Sequence, residues 1–314
     1  MSVDAVVIGR NEGARLDACL ESLKGRVKRI VYVDSGSTDN SLAIARDAGA
    51  EVIELDLSTP FTAARARNAG FAALTPPGEF VQFMDGDCIL ATDWLTNAVA
   101  ALKARADLAL VCGRRRELCP EASVYNRLCD LEWDTPVGEA RACGGDFLIR
   151  AEAFVAVDGF DAGLIAGEEP DLCLRLRRAG WRLWRLDDEM TEHDADMHRF
   201  AQWWRRAMRA GHAYAEGAAR YGSGPERHWV RETARAVFWG LALPLVSLGL
   251  ALISPWALGL LVAYPLQVWR LARKGPSAVW ALFAVLGKFP EALGVLTYWA
   301  RRLQGRDARI IEYK

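Results

Sequence analysis

Short apolar runs alternate with helically spaced stretches along the first part of the chain. Residues 5–8 are apolar and stop at Gly9, as a buried parallel strand would. Leu16, Cys19, Leu20 and Leu23 recur at helical spacing over 14–23. Residues 29–33 are β-rich and run into the turn-forming cluster Asp34-Ser35-Gly36-Ser37-Thr38-Asp39. A short helix over 41–48, a strand over 51–55, a helix over 62–73 and a strand over 80–84 follow. That last strand ends directly at Asp85-Gly86-Asp87. Four strand–helix alternations of this kind predict an α/β fold, with a mostly parallel sheet flanked by helices. Ligands of such sheets bind at the carboxyl ends of the strands, where each polar cluster sits. Further along, the pattern predicts a helix over 94–105 and strands over 108–113 and 143–150. A short helix over 151–157 and a helix over 172–179 complete this part. Residues 114–141 have weak periodicity and yield no element.

The pattern changes after His198. Residues 199–221 read as a long amphipathic helix carrying Trp203 and Trp204. From Ala236 to Trp269 no residue is charged. As one helix that run would be about 51 Å long, well beyond the ~30 Å hydrocarbon core of a bilayer. Two helices turning at Pro255 fit better. Arg231 and Arg235 precede the run, and Arg270, Arg273 and Lys274 follow it. The excess of cations on cytoplasmic flanks then puts both ends in the cytoplasm and the Pro255 turn on the far side. A second apolar stretch, 278–299, is interrupted by Lys288-Phe289-Pro290-Glu291 and is expected to lie in the interface or re-enter. Arg301, Arg302, Arg306 and Arg309 behind it suit anionic headgroups. A buried helical hairpin in a soluble protein is the alternative, but uncharged runs this long are rare outside membranes. Three regions result: an α/β domain over 1–198, an amphipathic helix and linker over 199–235, and membrane-associated helices with a basic tail over 236–314. Within the last, the hairpin covers 236–270 and the interfacial helix 278–300.

Charge sharpens this division. The net charge of −1 predicts no polyanion-binding protein. From Arg199 on there are 17 Lys+Arg against 6 Asp+Glu, leaving 22 against 34 in the part before it. Eight of the 12 Trp also lie after His198. A basic, Trp-rich, apolar tail suggests a membrane surface and no nucleic acid. The seven Cys all lie in the acidic part and form no C-x-x-C pair, so they read as reduced thiols. The N-terminus lacks a basic stretch and a long apolar run, so it does not read as a signal peptide.

Candidate chemistry begins at Asp85-Gly86-Asp87. Two carboxylates one residue apart at a strand end can share a hard cation such as Mn²⁺ or Mg²⁺, which bridges to substrate phosphates. Alone, such a pair is no more than an acidic turn. Its context is more informative. Ile8-Gly9-Arg10-Asn11-Glu12 closes the first strand, and Val33-Asp34-Ser35-Gly36-Ser37-Thr38-Asp39 closes the second. Ala64-Arg65-Ala66-Arg67-Asn68-Ala69-Gly70 opens a helix before the fourth. Downstream stands Gly167-Glu168-Glu169-Pro170-Asp171, followed by Arg175-Leu176-Arg177-Arg178-Ala179-Gly180. In this order the motifs resemble those of the family 2 glycosyltransferases, which have the GT-A fold. The likeness covers roughly residues 3–184. A dinucleotide dehydrogenase is excluded, because residues 9–13 lack G-x-G-x-x-G spacing.

The resemblance implies roles. Asp34 would accept a hydrogen bond from the nucleotide base, with Ser37 beside it, and Asn11 and Glu12 would wall the nucleoside pocket. Arg67 would contact the donor diphosphate. Asp85 would hold the ribose or a metal-bound water and Asp87 the metal, with His193 a further ligand. Glu169 would be the general base, with Glu168 beside it and Asp171 as fallback. Gly144, Gly145 and Asp146 would lie on the acceptor side; a strand bulge is the alternative there. Gln202-Trp203-Trp204-Arg205-Arg206 is similar to a motif of processive synthases but lacks its Trp, and an interfacial helix accounts for it better. The resemblance therefore implies an inverting enzyme that uses a nucleoside-diphosphate sugar, UDP-linked in the first instance. Its acceptor would be a lipid-linked or membrane-proximal glycan in cell-surface polysaccharide synthesis. A polyprenyl-phosphate hexosyl transferase is the alternative. A non-catalytic nucleotide-sugar-binding anchor fits poorly with intact Asp85, Asp87 and Glu169. The expected site of action is the inner membrane, with the catalytic domain facing the cytoplasm.

Overall fold

The computed structural model describes residues 3–305. In chain order, the first unit contains β1 (Val3–Gly9), α1 (Ala14–Leu23), β2 (Ile30–Asp34), α2 (Ser41–Asp47), β3 (Glu51–Glu54), α3 (Ala63–Ala73), β4 (Phe80–Asp85) and β5 (Cys88–Leu90). It continues with α4 (Trp94–Ala104), β6 (Leu108–Glu117), α5 (Val124–Trp133), β7 (Gly138–Glu139), β8 (Phe147–Arg150), α6 (Ala151–Ala156), α7 (Glu168–Arg178) and β9 (Arg182–His193). The strands form one sheet in the order β3-β2-β1-β4-β8-β6-β9-β5, with β7 paired to β9. The β3-β2-β1-β4 half is parallel. β8 joins β4 antiparallel, and β6 and β9 run parallel to each other.

β1 and β4 lie mid-sheet and are buried almost throughout. Their largely apolar runs follow from this: a strand covered on both faces needs no polar alternation. The core polar pair Trp94 and Gln82 satisfies itself, Trp94 Nε1 donating to Gln82 Oε1 at 2.8 Å. A second knot of rings ties β4 and β8 to the segment before α7. Phe83 lies 5.2 Å from Phe154 and 5.6 Å from Phe160, centre to centre.

The elements expected before residue 113 are all present, most within a residue of the expected bounds. The sequence pattern missed α5, β5, β7 and β9. The expected strand over 143–150 is shorter, because 143–146 are irregular.

The second unit holds residues 165–167 and everything from Met197 on. It contains α8 (Phe200–Tyr221), α9 (Val230–Val237), α10 (Leu243–Ala251), α11 (Ala263–Ala272), α12 (Ala278–Leu286) and α13 (Lys288–Leu303). A π-helical stretch, Phe238–Ala242, joins α9 to α10 in one 22-residue rod, and a 3-10 stretch, Pro255–Val262, leads into α11. The reversal falls at Pro255, as expected. The interruption expected at Lys288-Phe289-Pro290-Glu291 does not break the chain, and α12 and α13 make one 26-residue rod. Lys288 Nζ donates to both carboxylate oxygens of Glu291, at 2.8 and 2.6 Å, so the two charges offset each other. Both rods are long and apolar enough to cross a membrane. α13 packs tightly on α8: a Cβ on Gly294 would lie 2.0 Å from the Met208 carbonyl, and one on Gly211 2.0 Å from that of Glu291. Glycine alone allows helices this close. Arg306 and Arg309 lie outside the described residues.

Candidate active site

β2 and β4 flank β1 on opposite sides, so the loops leaving β1 and β4 diverge and open a crevice at the strand ends. Gly9 stands in register with Asp34, and Ile8 with Asp85, which aligns three of the sequence motifs along one edge.

The first two motifs are stitched together. Asn11 sits at φ 58°, a left-handed conformation that asparagine tolerates. Its N–H donates to Ser37 Oγ at 2.9 Å, and its Oδ1 accepts from the Thr38 N–H at 2.7 Å. The Glu12 N–H donates to Ser41 Oγ at 3.1 Å. Asp34 is buried and already saturated. Oδ1 takes the hydroxyls of Tyr32 and Ser37, and Oδ2 takes the N–H groups of Gly36 (2.9 Å) and Ser37 (2.8 Å). This carboxylate therefore shapes the Gly36-Ser37 loop first. A base reaches it only when a hydroxyl turns away.

Arg67 departs from its expected role. It is buried, and its guanidinium forks between Asp85 Oδ1 (2.7 Å) and Glu168 Oε1 (2.9 Å). Burial alone would lower its pKa; Asp85, Glu168 and Asp146 reverse that and raise it. Arg67 thus positions two carboxylates and does not reach out toward a ligand. Gly145 makes room for this fork: a Cβ there would lie 2.7 Å from Arg67 Nη2 and 2.9 Å from Asp85 Oδ2. Gly144 stands at φ 84° against Arg115. The room these two glycines leave is taken up by the protein's own side chains.

Asp146 also departs from expectation. It is fully enclosed and cannot meet an acceptor. Its oxygens accept from the Asp85 N–H (3.1 Å) and the Thr191 hydroxyl (3.0 Å), and Arg115 pairs with it at 3.0 Å. Asp146 braces the end of β4. Arg115 was not singled out from the sequence. It lies past the point where the apolar run of β6 stops, so no periodicity marked it. Replacing Arg115 by methionine strands a buried carboxylate, which costs about 3–5 kcal/mol. Thermal denaturation should show a clear fall in Tm; an unchanged Tm would mean that the Arg115–Asp146 pair does not hold the fold together.

Asp87 and His193 meet as expected. Asp87 Oδ1 lies 3.1 Å from His193 Nε2, and both side chains are largely buried. β5 and β9 bring them together, since Cys88 and His193 are cross-strand partners. His193 Nδ1 is buried and makes no hydrogen bond among the described residues, so the imidazole is tied only through Asp87. Trp133 of α5 covers the ring at 4.7 Å. A buried carboxylate–imidazole pair beside Asp85 offers the oxygen and nitrogen donors that Mn²⁺ accepts.

The three acids of α7 separate by partner. Glu168 is held by Arg67. Asp171 Oδ2 accepts from Arg175 Nε at 2.8 Å, one helical turn away. Glu169 has no cationic partner among the described residues. Its Oε1 accepts from the Cys143 N–H (2.6 Å) and from the thiols of Cys173 (2.8 Å) and Cys143 (3.2 Å). Burial raises its pKa, and these donors oppose only part of that rise. A carboxyl so placed is poised to take a proton.

Residues 4–136 match the family model described as Glycosyl transferase family 2. Over 96% of its length the chain is 29% identical to the pre-mycofactocin glycosyltransferase of Mycobacterium tuberculosis, covering 63% of that protein. Over 56% of its length it is 28% identical to the succinoglycan biosynthesis protein ExoA of Rhizobium meliloti, covering 58% of it. The chain thus spans about three fifths of the length of these two relatives. Among solved structures, it superposes on the mannosyltransferase PcManGT from Pyrobaculum calidifontis, determined with GDP-Man and Mn²⁺, with a TM-score of 0.60. That match is 21% identical and covers 98% of this chain and 88% of the other.

Proposed function

The chain is a family 2 glycosyltransferase with a GT-A fold, and from that premise we propose that it transfers a hexose-type sugar from a nucleoside-diphosphate sugar to a lipid-linked or membrane-proximal glycan. A UDP-sugar is the first donor to try. The observation that carries this reading is the Arg67 fork. It ties Asp85 at the donor edge of the sheet to Glu168, next to the base candidate Glu169. Donor and acceptor chemistry are thereby joined through one buried side chain.

Asp87 and His193, with Asp85 beside them, would hold a divalent cation, Mn²⁺ or Mg²⁺. When bound, the cation neutralises the diphosphate leaving group. Asp146 and Arg67 fix Asp85 from behind. Glu169 takes the acceptor hydroxyl proton as that oxygen bonds to the anomeric carbon and the bond to the diphosphate oxygen breaks on the opposite face. One such displacement inverts the anomeric configuration.

The apolar rods of the second unit and the basic residues around them support attachment to the inner membrane, with the catalytic unit in the cytoplasm. ExoA, a succinoglycan biosynthesis protein, supports a role in cell-surface polysaccharide synthesis. A second reading, a polyprenyl-phosphate acceptor, is favoured by the enclosure of Glu169, because an anionic acceptor needs no base.

A thermal-shift screen of UDP-, GDP- and dTDP-sugars with Mn²⁺ tests the donor. At 100 times its Kd, a ligand of the native state adds about 2.7 kcal/mol. That is a rise of roughly 5–10 °C for a domain of this size. No rise with any donor, together with no sugar transfer, would sink the reading.

A further inference from the structure

We propose that the apolar hairpin over residues 230–272 enters and leaves the bilayer through one leaflet, with its tip resting in the hydrocarbon. This rests on the membrane attachment proposed above and replaces the far-side turn expected from the sequence.

Length argues for it first. The uncharged part of the first arm, 236–251, rises about 24 Å as a helix. The return arm has eight 3-10 residues, Pro255–Val262, and seven helical ones up to Trp269. At about 2.0 and 1.5 Å per residue that is about 26 Å. The uncharged stretch of each arm stops short of a ~30 Å core, although the whole first rod, with its flanking arginines, is long enough to cross.

The tip itself is the stronger argument. A turn delivered to the far side would stand in water or among headgroups. Here it presents Leu252, Ile253 and Trp256, which are 90%, 85% and 91% exposed. No charged side chain stands anywhere between Ala236 and Trp269. The tip backbone is also closed on itself. The N–H of Leu252 donates to the Gly249 carbonyl (3.3 Å), and those of Ile253 (3.0 Å) and Ser254 (2.9 Å) donate to that of Leu250. Pro255 has no N–H, and the N–H of Ala257 donates to the Ser254 carbonyl at 3.0 Å. Hydrocarbon demands such internal pairing, whereas a turn in water has no need of it.

Two polar side chains in the arms follow the same rule. Ser247 Oγ donates to the Leu243 carbonyl at 2.7 Å, and the Tyr264 hydroxyl crosses the hairpin to the Trp239 carbonyl at 2.5 Å. The cations gather at the open end. Arg231, Arg235, Arg270, Arg273 and Lys274 all stand there, with Arg273 over the Trp269 ring at 4.9 Å. Anionic headgroups of a single leaflet would meet all five. The lipid acyl chain is therefore the occupant of this exposed surface.

The test introduces a thiol by Ser254→Cys in the full chain. A charged maleimide is applied to right-side-out and to inside-out vesicles, and labelled peptides are mapped by mass spectrometry. The introduced thiol should stay unlabelled in both preparations and react once detergent dissolves the bilayer. Labelling in either intact preparation would overturn the proposal. Labelling from the far side would show a crossing hairpin, and labelling from the near side one that never inserts. A companion variant, Ile253→Asp, should weaken vesicle partition roughly a hundredfold, because a charge at depth costs about 2.5–3.5 kcal/mol. Unchanged partition would also overturn it. Failure of the wild-type chain to float with vesicles is a separate result, which sinks membrane attachment itself.

Discussion

Asp87→Ala should lower turnover by about a thousandfold while leaving the fold intact. A cation at a developing leaving group supplies several kcal/mol, and about 4 kcal/mol corresponds to three decades of rate. In the proposed mechanism Asp87 is the carboxylate that holds it. It follows the last residue of β4 by two positions and faces His193 Nε2 at 3.1 Å. Its carbonyl still accepts the Asp194 N–H in the variant, so the loop is retained. Bound Mn²⁺, counted by its paramagnetic resonance signal, should fall in step with turnover, with Tm little changed. Full activity at ordinary Mn²⁺ concentrations would refute the metal role. A collapse of Tm would assign Asp87 a structural role instead.

Glu169→Gln separates the two acceptor classes. If the acceptor is a hydroxyl, removing the base should cost roughly 10²–10⁴ in kcat. The pH profile gives an independent sign. The active form of a base is deprotonated, so the wild-type rate falls as pH drops through the Glu169 pKa. Burial raises that pKa, so the acid limb should lie above the ordinary glutamate value of 4.5. In the Gln variant the limb should vanish with the activity. An active variant with an unchanged acid limb would favour an acceptor that is already anionic. Gln keeps a carbonyl oxygen for the Cys143 N–H, so lost activity would not trace to lost packing.

The first half of the sheet could be read from sequence because its central strands are buried on both faces. An unbroken apolar run as short as Ala5 to Ile8, stopped by a glycine, is what such a strand requires. β9 hid its identity behind Arg182, Arg185, Asp187, Asp188 and Glu189, charges of which Arg182 and Glu189 pair with neighbouring strands. Arg182, for example, meets Glu139 at 2.9 Å. α5 buries only Asn126 and Cys129, so its apolar positions do not mark its inner face. Polar bonds hold its surroundings: Asn126 Nδ2 donates to Glu117, and Arg114 to Asp130. At the site, motif order picked out residues that lie along one edge of the sheet but not which of them were open. Asp146 reads like a sugar-binding acid, yet its partners stand at positions 85, 115 and 191, too far along the chain for local reading. Arg67 was misjudged in the same way, since its second partner, Glu168, lies 101 residues away.

α3 makes three separate attachments to the stretch that leads into α7. The Thr62 hydroxyl donates to the Ala162 carbonyl at 3.2 Å. Asn68 closes a two-way bond with the backbone of Phe160, at 2.8 and 3.0 Å. Arg67 reaches Glu168 at 2.9 Å. Anyone grafting the 160–168 segment from a relative to change acceptor choice would therefore be transplanting half of a lock. The graft needs a matching residue at 62, 67 and 68, or the imported loop arrives with its backbone amide at 160 and its acid at 168 unmatched.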